Sequence, residues 1–142
     1  MKMIHSCFAV QREDGRLWDF VQNNRKVGKE QEQCALLELK KQGYEILERN
    51  FRCRIGEIDL IAKHRGYLVF IEVKYRKTAG SGYAAEAVTR SKQRIICRVA
   101  DYYLLTHCTE IPACRFDVAA FEGDHFTIYE NAFEYIPGGP KK

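Results

Sequence analysis

The sequence has no long hydrophobic run, no paired-cysteine motif and no strong excess of charge of either sign, and each absence removes a class of protein. Near the N-terminus, Met3-Ile4 and Cys7-Phe8-Ala9-Val10 are split by His5-Ser6 and followed at once by Gln11-Arg12-Glu13-Asp14, so no apolar run is long enough for a secretory signal. No stretch approaches the ~20 apolar residues of a membrane-spanning helix. The six cysteines (Cys7, Cys34, Cys53, Cys97, Cys108 and Cys114) make no Cys-x-x-Cys and have no His pair at finger spacing, which argues against zinc. They read as free thiols, mostly buried as small hydrophobes, in a cytoplasmic protein with no membrane association. The four histidines, His5, His64, His107 and His125, fall in loops or in the N-terminal stretch, without a positioned partner. No Ser-His or Cys-His nucleophile set, phosphate-binding glycine loop or dinucleotide fingerprint is present.

What is there is an ordinary globular composition. The 142 residues fit one domain, with 46% hydrophobic and 30% charged residues. The net charge of +4, from 23 basic and 19 acidic residues, permits a nucleic-acid partner without arguing for one, so the distribution of charge has to decide.

Residues 1–26 show no clean period and read as an appendage of uncertain structure. From Gly28 to Gln42 the apolar spacing of Ala35, Leu36 and Leu39 predicts a helix stopped by Gly43, with Glu32 at the N-terminal end of the core-facing stripe. Tyr44–Phe51, Glu57–Lys63 and Tyr67–Arg76 read as three strands, the last two joined as a hairpin at His64-Arg65-Gly66. A Gly80-Ser81-Gly82 loop follows. Val88, Lys92, Ile95, Ile96, Val99 and Tyr103 then mark a second helix ending near Thr106, and Arg115–Phe121 and Phe126–Glu130 alternate as two more strands. Pro137-Gly138-Gly139-Pro140-Lys141-Lys142 reads as a frayed, disordered tail, which leaves residues 27–136 as the folded domain. The order α-β-β-β-α-β-β implies an α/β fold, a mixed sheet flanked by helices.

Two of these strands carry acids inside apolar runs: Gly56-Glu57-Ile58-Asp59-Leu60-Ile61-Ala62 and Phe70-Ile71-Glu72-Val73-Lys74. Residues i and i+2 of a strand share a face, so Glu72 and Lys74 project side by side. An even hairpin loop that pairs His64 with Tyr67 carries Asp59 opposite Glu72, with Cβ atoms about 4.5–5.5 Å apart. A three-residue loop would break that match of faces. Two carboxylates about 5 Å apart repel by roughly 3 kcal/mol at an effective dielectric near 20, a large share of a small domain's stability. A divalent cation such as Mg²⁺ or Mn²⁺, an ion pair with Lys74, or a proton taken up by one carboxyl would each offset it. Glu32 becomes a third acid if the first helix packs its N-terminal end over the hairpin. Three carboxylates and a lysine form a hydrolytic set in which the metal polarises a phosphodiester and binds the attacking water. Lys74 then stabilises developing negative charge or helps deprotonate that water. Glu57 shares the face of Asp59 and reads as a solvated neighbour.

Gly28-x-x-x-Glu32-x-x-Ala35, Gly43-Tyr44, Arg49-Asn50, Gly56–Ala62 and Phe70-Ile71-Glu72-Val73-Lys74-x-Arg76 closely resemble the YraN-like proteins, as do Ala87-Val88, Lys92, Ala100-x-x-Tyr103-Leu104, Arg115-Phe116-Asp117-Val118 and Asn131-Ala132-Phe133. These are largely uncharacterised bacterial proteins assigned to the PD-(D/E)XK nuclease superfamily, with a Holliday-junction-resolvase-like fold. The resemblance runs from about Gly28 to Tyr135. It implies a restriction-endonuclease-like core in which Asp59 and Glu72 are metal ligands, Lys74 is the catalytic lysine and Glu32 is a helix-borne acid. The superfamily's Pro before the first acid is absent here, since Glu57-Ile58 stands in its place.

Basic residues around these positions supply candidate contacts to nucleic acid. Arg90, Arg94 and Arg98 recur every four residues as one helical stripe, a solvated face on the plain reading and a track for a phosphate backbone beside an acidic metal site. Lys92 lies on the apolar stripe of the same helix and either snorkels past the core or reaches the site from the helix end. Arg76 continues the face of Glu72 and Lys74, where phosphate contact and ion pairing both fit, and Arg115 most simply pairs with Asp117. The expectation is a Mg²⁺- or Mn²⁺-dependent endonuclease acting on DNA, with a symmetric homodimer the easiest way to act on two strands. The leading rival keeps the nuclease fold as a nucleic-acid-binding module without efficient turnover. A more distant rival is a structural or partner-binding protein whose acidic cluster is neutralised by Lys74 and Arg76.

Overall fold

Helix α1 (Asn24–Lys41) carries Cys34, Ala35, Leu36 and Leu39 on one side, a helical spacing that buries all four. It closes through two reversed hydrogen bonds, Gly43 N–H to the Lys40 carbonyl and Tyr44 N–H to the Leu39 carbonyl, which turn the chain directly into the sheet. The computed structural model describes residues 24–76, 88–122 and 125–138, and α1 begins four residues ahead of the predicted start at Gly28. The N-terminal stretch with His5 and Cys7, the Gly80-Ser81-Gly82 loop, the end of the tail and the side chain of Arg76 lie outside the described residues.

Strands β1 (Glu45–Arg52), β2 (Glu57–His64) and β3 (Tyr67–Arg76) form an antiparallel meander. Arg65 and Gly66 make the β2–β3 turn with φ of +51° and +84°, the paired positive values of the tight hairpin turn whose twist matches the strands. Helix α2 (Arg90–His107) then crosses over, so β4 (Cys114–Glu122) pairs with β3 in parallel, and β5 (His125–Tyr129) returns antiparallel to β4. The strands lie in chain order, β1-β2-β3-β4-β5. The expected α-β-β-β-α-β-β order holds, with a mixed five-stranded sheet. The predicted ends of these strands and of α2 move by one to two residues at most.

The helices cover opposite faces of the sheet. Under α1, Cys34, Ala35 and Leu39 pack on Leu60, Ala62, Val69, Ile71 and Phe121. Under α2, Ile96, Val99, Ala100 and Tyr103 pack on Ile61, Phe70, Phe116 and Val118. With both faces covered, β4 from Arg115 to Phe121 is buried at every residue, as a central strand requires. Of the five cysteines among the described residues all are free thiols; Cys34 and Cys97 are buried and Cys53, Cys108 and Cys114 are half-buried.

The expectation for the histidines needs correcting. His107 ends α2 with its ring stacked on Tyr103, centroids 4.2 Å apart, and His125 opens β5. His64 is not a loop residue without a partner but the last residue of β2, 3% exposed. Its ring stacks on Tyr44 with centroids 3.8 Å apart, and its two nitrogens face the Gln42 carbonyl at 3.2 Å and Arg115 Nη2 at 2.9 Å. Arg115 does pair with Asp117, Nε to Oδ1 at 2.9 Å and Nη2 to Oδ2 at 2.8 Å. Asp117 further accepts from the Tyr44 hydroxyl at 2.7 Å and from Asn131 N–H at 2.9 Å. This fully buried carboxylate is satisfied on both oxygens, which is the condition for burying a charge. The alternation of Leu60, Ala62 and His64 along β2 was the available signal, since it puts His64 on the apolar face.

Candidate functional site

The acidic site lies where the sheet breaks its alternation. Arg49 pairs with Leu60 and Phe51 pairs with Ile58, and between these pairs stand Asn50, with φ of +53°, and Asp59. Residues two apart in a strand normally share a face, yet Leu60 belongs to the core under α1 and Ile58 to the core under α2. The β1–β2 ribbon therefore turns over at Asn50 and Asp59. Asn is among the few residues that adopt positive φ at small cost, which suits it to that position.

Beyond this point β2 and β3 separate. Their ladder runs from His64–Tyr67 to Leu60–Ile71 in the expected register and stops there. Asp59 and Glu72 are next in line, but they are not a paired rung. The Asp59 side chain takes over instead, its Oδ2 accepting the Val73 N–H at 2.8 Å. The carboxylates meet at a fork between strands, not across a flat hairpin. Gly56, at the entry to β2, lies hard against α2: a Cβ there would fall 2.7 Å from Ile95 Cγ2.

Glu72 is buried, its side chain only 8% exposed, and its Oε2 faces two lysines: Lys74 Nζ at 3.7 Å and Lys92 Nζ at 3.9 Å. Lys92 stands in the first turn of α2, where Thr89 caps the helix by accepting the Lys92 N–H. Of the two readings for Lys92, the structure selects the one in which it reaches the site. Burial raises the pKa of Glu72 to about 7, with the Asp59 charge adding to the rise and Lys92 and Lys74 opposing it. Burial also lifts Asp59 above the usual carboxylate range, the Val73 N–H opposing it and the Glu57 and Glu32 charges adding to the rise. Near neutral pH Glu72 is therefore close to its titration point, and a cation would compete with the proton it takes up.

Glu32 lies with Leu36, Arg49, Asn50, Asp59 and Val73 around a small cleft on the α1 side. It does not complete a ligand set: among the described residues no three of His, Cys, Asp or Glu converge as metal ligands. Asp59 and Glu72 are hard oxygen donors, and Mg²⁺ is commonly held by one or two carboxylates with water in its other positions. That pair fits Mg²⁺ or Mn²⁺. Glu32, the third acid of the expected set, stands beside that pair and adds its charge to Asp59. Glu57 is engaged outward, its Oε1 2.8 Å from Arg52 Nε.

The basic residues divide. Arg90 and Arg94 are exposed on α2. Arg98 is held by the chain's C-terminal segment, donating to the Ile136 carbonyl and lying 5.6 Å from the Tyr135 ring centroid. Its Nε sits 3.1 Å from Asp101 Oδ2, a distance for charge attraction without hydrogen-bond geometry. Arg98 is thus held by the C-terminal segment, and Arg90 and Arg94 are the members of the predicted stripe with no ion pair among the described residues. No helix of the described residues is long and apolar enough to cross a membrane.

Residues 31–121 match the model of the uncharacterised protein family UPF0102. A UPF0102 protein of Lachnoclostridium phytofermentans is 48% identical over 113 residues, covering 78% of this chain and 96% of that protein. One of Symbiobacterium thermophilum is 50% identical over 99 residues, 70% of this chain and 84% of its own length. One of Cupriavidus necator is 42% identical over 120 residues, 84% of this chain and 91% of its own. Asp59, Glu72, Lys74 and Lys92 all lie within the matched span.

Proposed function

The chain belongs to the uncharacterised protein family UPF0102, and from its site we propose that it hydrolyses phosphodiester bonds in DNA with Mg²⁺ or Mn²⁺. One observation carries the reading: Glu72 is buried beside Asp59 and answered by two lysines at a fork between strands. Such a pair is costly as mere structure, and perturbed carboxyls with specific charge partners concentrate at functional sites. The likeness of Asp59…Glu72-x-Lys74 to the PD-(D/E)XK pattern supports the same chemistry.

In this reading Asp59 and Glu72 hold the cation, which supplies Lewis acidity at the scissile phosphate and an activated water. The Val73 N–H fixes the orientation of the Asp59 carboxylate, which would hold it ready for a cation. With its pKa raised to about 7, Glu72 titrates near neutral pH, and a bound cation would favour its ionised form. Lys74 lies at the open side and offsets the negative charge that develops on the phosphate, and Lys92 adds a second positive charge from the end of α2. Arg90 and Arg94 supply phosphate contacts outside the site.

A second reading has its own observation. Lys74 and Lys92 both lie within 4 Å of Glu72, so the buried acid has cationic neighbours without a metal, and the chain would then be a nucleic-acid-binding module with no efficient turnover. Thermal denaturation with and without Mn²⁺ separates the two. On the nuclease reading Mn²⁺ raises the melting temperature and Asp59→Asn abolishes the shift. An unresponsive wild type that still binds DNA in a salt-sensitive way would establish the binding module instead.

A further inference from the structure

Next to the acidic site, the β1–β2 loop and α2 enclose an open groove of about 620 Å³ lined by Arg52, Cys53, Arg54, Ile55 and Tyr102. Its lining holds two arginines and no carboxylate. Arg54 has no acidic partner among the described residues, and Arg52 shares only Glu57 at the groove's inner edge. The same lining carries two large apolar side chains that the fold leaves open, Ile55 at 48% and Tyr102 at 43% exposure. Tyr102 is supported from below by Phe51, the ring centroids 6.3 Å apart.

The groove reaches the site through Glu57, and its loop is seated on the helix that carries Lys92. Glu57, which pairs with Arg52, is close enough for its charge to act on both Asp59 and Glu72. Gly56 seats the loop directly on Ile95 of α2. Along α2 itself, Arg90, Arg94, Arg98 and Tyr102 fall on one row at four-residue spacing, so the predicted basic stripe ends at this tyrosine. Tyr102 is about 15 Å along the helix axis from Lys92.

We infer that this groove binds a single-stranded extension of the DNA on which the acidic site acts, with an unpaired base stacked on Tyr102 and the flanking phosphates on Arg52 and Arg54. The inference rests on the nuclease reading and names its substrate class: DNA with an unpaired segment. A duplex offers phosphates to the arginines but keeps its bases stacked inside, so it leaves Ile55 and Tyr102 without contact. An unpaired base has a free π-face, and aromatic residues between basic ones are how proteins hold single strands without reading sequence. The lack of carboxylates in the lining matches a polyanion and opposes a basic partner.

The test is fluorescence anisotropy in EDTA, where no cleavage can occur, with a labelled single-stranded oligodeoxynucleotide and a blunt duplex of the same sequence. Stacking of one base is worth enough that Tyr102→Ala weakens single-strand binding between about fivefold and a hundredfold. Duplex binding stays within about twofold, and Tyr102→Trp restores the single-strand affinity. Arg54→Gln lowers the salt dependence of single-strand binding by about one phosphate contact. Single-strand affinity unchanged by Tyr102→Ala, or equal losses on both substrates, overturns the inference. The Mn²⁺-induced melting shift is read on the same proteins. Its absence in wild type, with the Tyr102 effect present, refutes the metal site and leaves the groove standing.

Discussion

The Asp59 carboxylate accepts the backbone N–H of Val73 at 2.8 Å, at the place where the β2–β3 ladder has run out of backbone pairs. An acid thus substitutes for a strand, and the neighbouring Glu72 is left in a buried fork with Asp59 on one side and Lys74 and Lys92 on the other. Asp59→Ala removes both a charge and the acceptor of that N–H, whereas Asp59→Asn keeps an acceptor and removes the charge. In metal-free buffer the Asn variant should therefore melt at or above the wild-type temperature and the Ala variant below it. Circular dichroism melts in EDTA check the order.

Stability should depend on pH in a direction opposite to that of most carboxylates. Glu72 has a folded pKa of about 7 against 4.5 for an unperturbed glutamate. Between these values the folded chain keeps a proton that the unfolded chain has lost, so the stabilisation is complete below pH ~4.5 and disappears as pH rises through ~7. The shift corresponds to about 3 kcal/mol. Urea denaturation in EDTA should show wild type losing stability from pH 5 to 8, and Glu72→Gln should flatten that decline and be the more stable protein at pH 8. A wild type whose stability is level or rising over this range contradicts the placement of Glu72.

The network around Asp117 carries stability, not chemistry. Arg115 and the Tyr44 hydroxyl both reach this fully buried carboxylate, and removing one partner leaves a charge without compensation. Arg115→Ala should cost about 3–5 kcal/mol. Arg115→Lys should recover only part, because an ammonium cannot span both carboxylate oxygens and His64 at once. Chemical denaturation of the three proteins gives the comparison.

Gly56→Ala tests the seating of the β1–β2 loop. The new methyl would stand 2.7 Å from Ile95 Cγ2, and Ile95 is 40% exposed and free to yield in part. A loss of about 1–3 kcal/mol is expected, and Ile95→Ala in the same background should recover much of it. Recovery measures the contact itself, which a general loop effect would not reproduce.

Much of this was legible in the residues. Alternation and turn chemistry located all five strands, the hairpin register, both helices and the pair Arg115–Asp117. The site acids followed from charges placed in apolar runs. What pattern could not reach was three-dimensional: that the ladder stops at Leu60–Ile71, that Asn50 and Asp59 turn the ribbon over, and that Arg98 folds under the C-terminal segment. A period of two assumes an unbroken strand, and it fails where a side chain replaces a backbone partner. His64 was misplaced for a related reason, since a residue adjoining a turn is easily assigned to the turn when its stacking partner, Tyr44, lies in another strand's approach.

The site proposed for Asp59, Glu72 and Lys74 is a cation-dependent nuclease centre. Incubation with linear, supercoiled, single-stranded and four-way-junction DNA in Mn²⁺, with wild type beside Lys74→Ala and Glu72→Gln, tests it most directly. Wild type should cleave at least one substrate and none in EDTA, and both variants should lose at least a hundredfold. Equal cleavage by wild type and Lys74→Ala, or no cleavage of any substrate by a wild type whose melting temperature Mn²⁺ leaves unmoved, would contradict it.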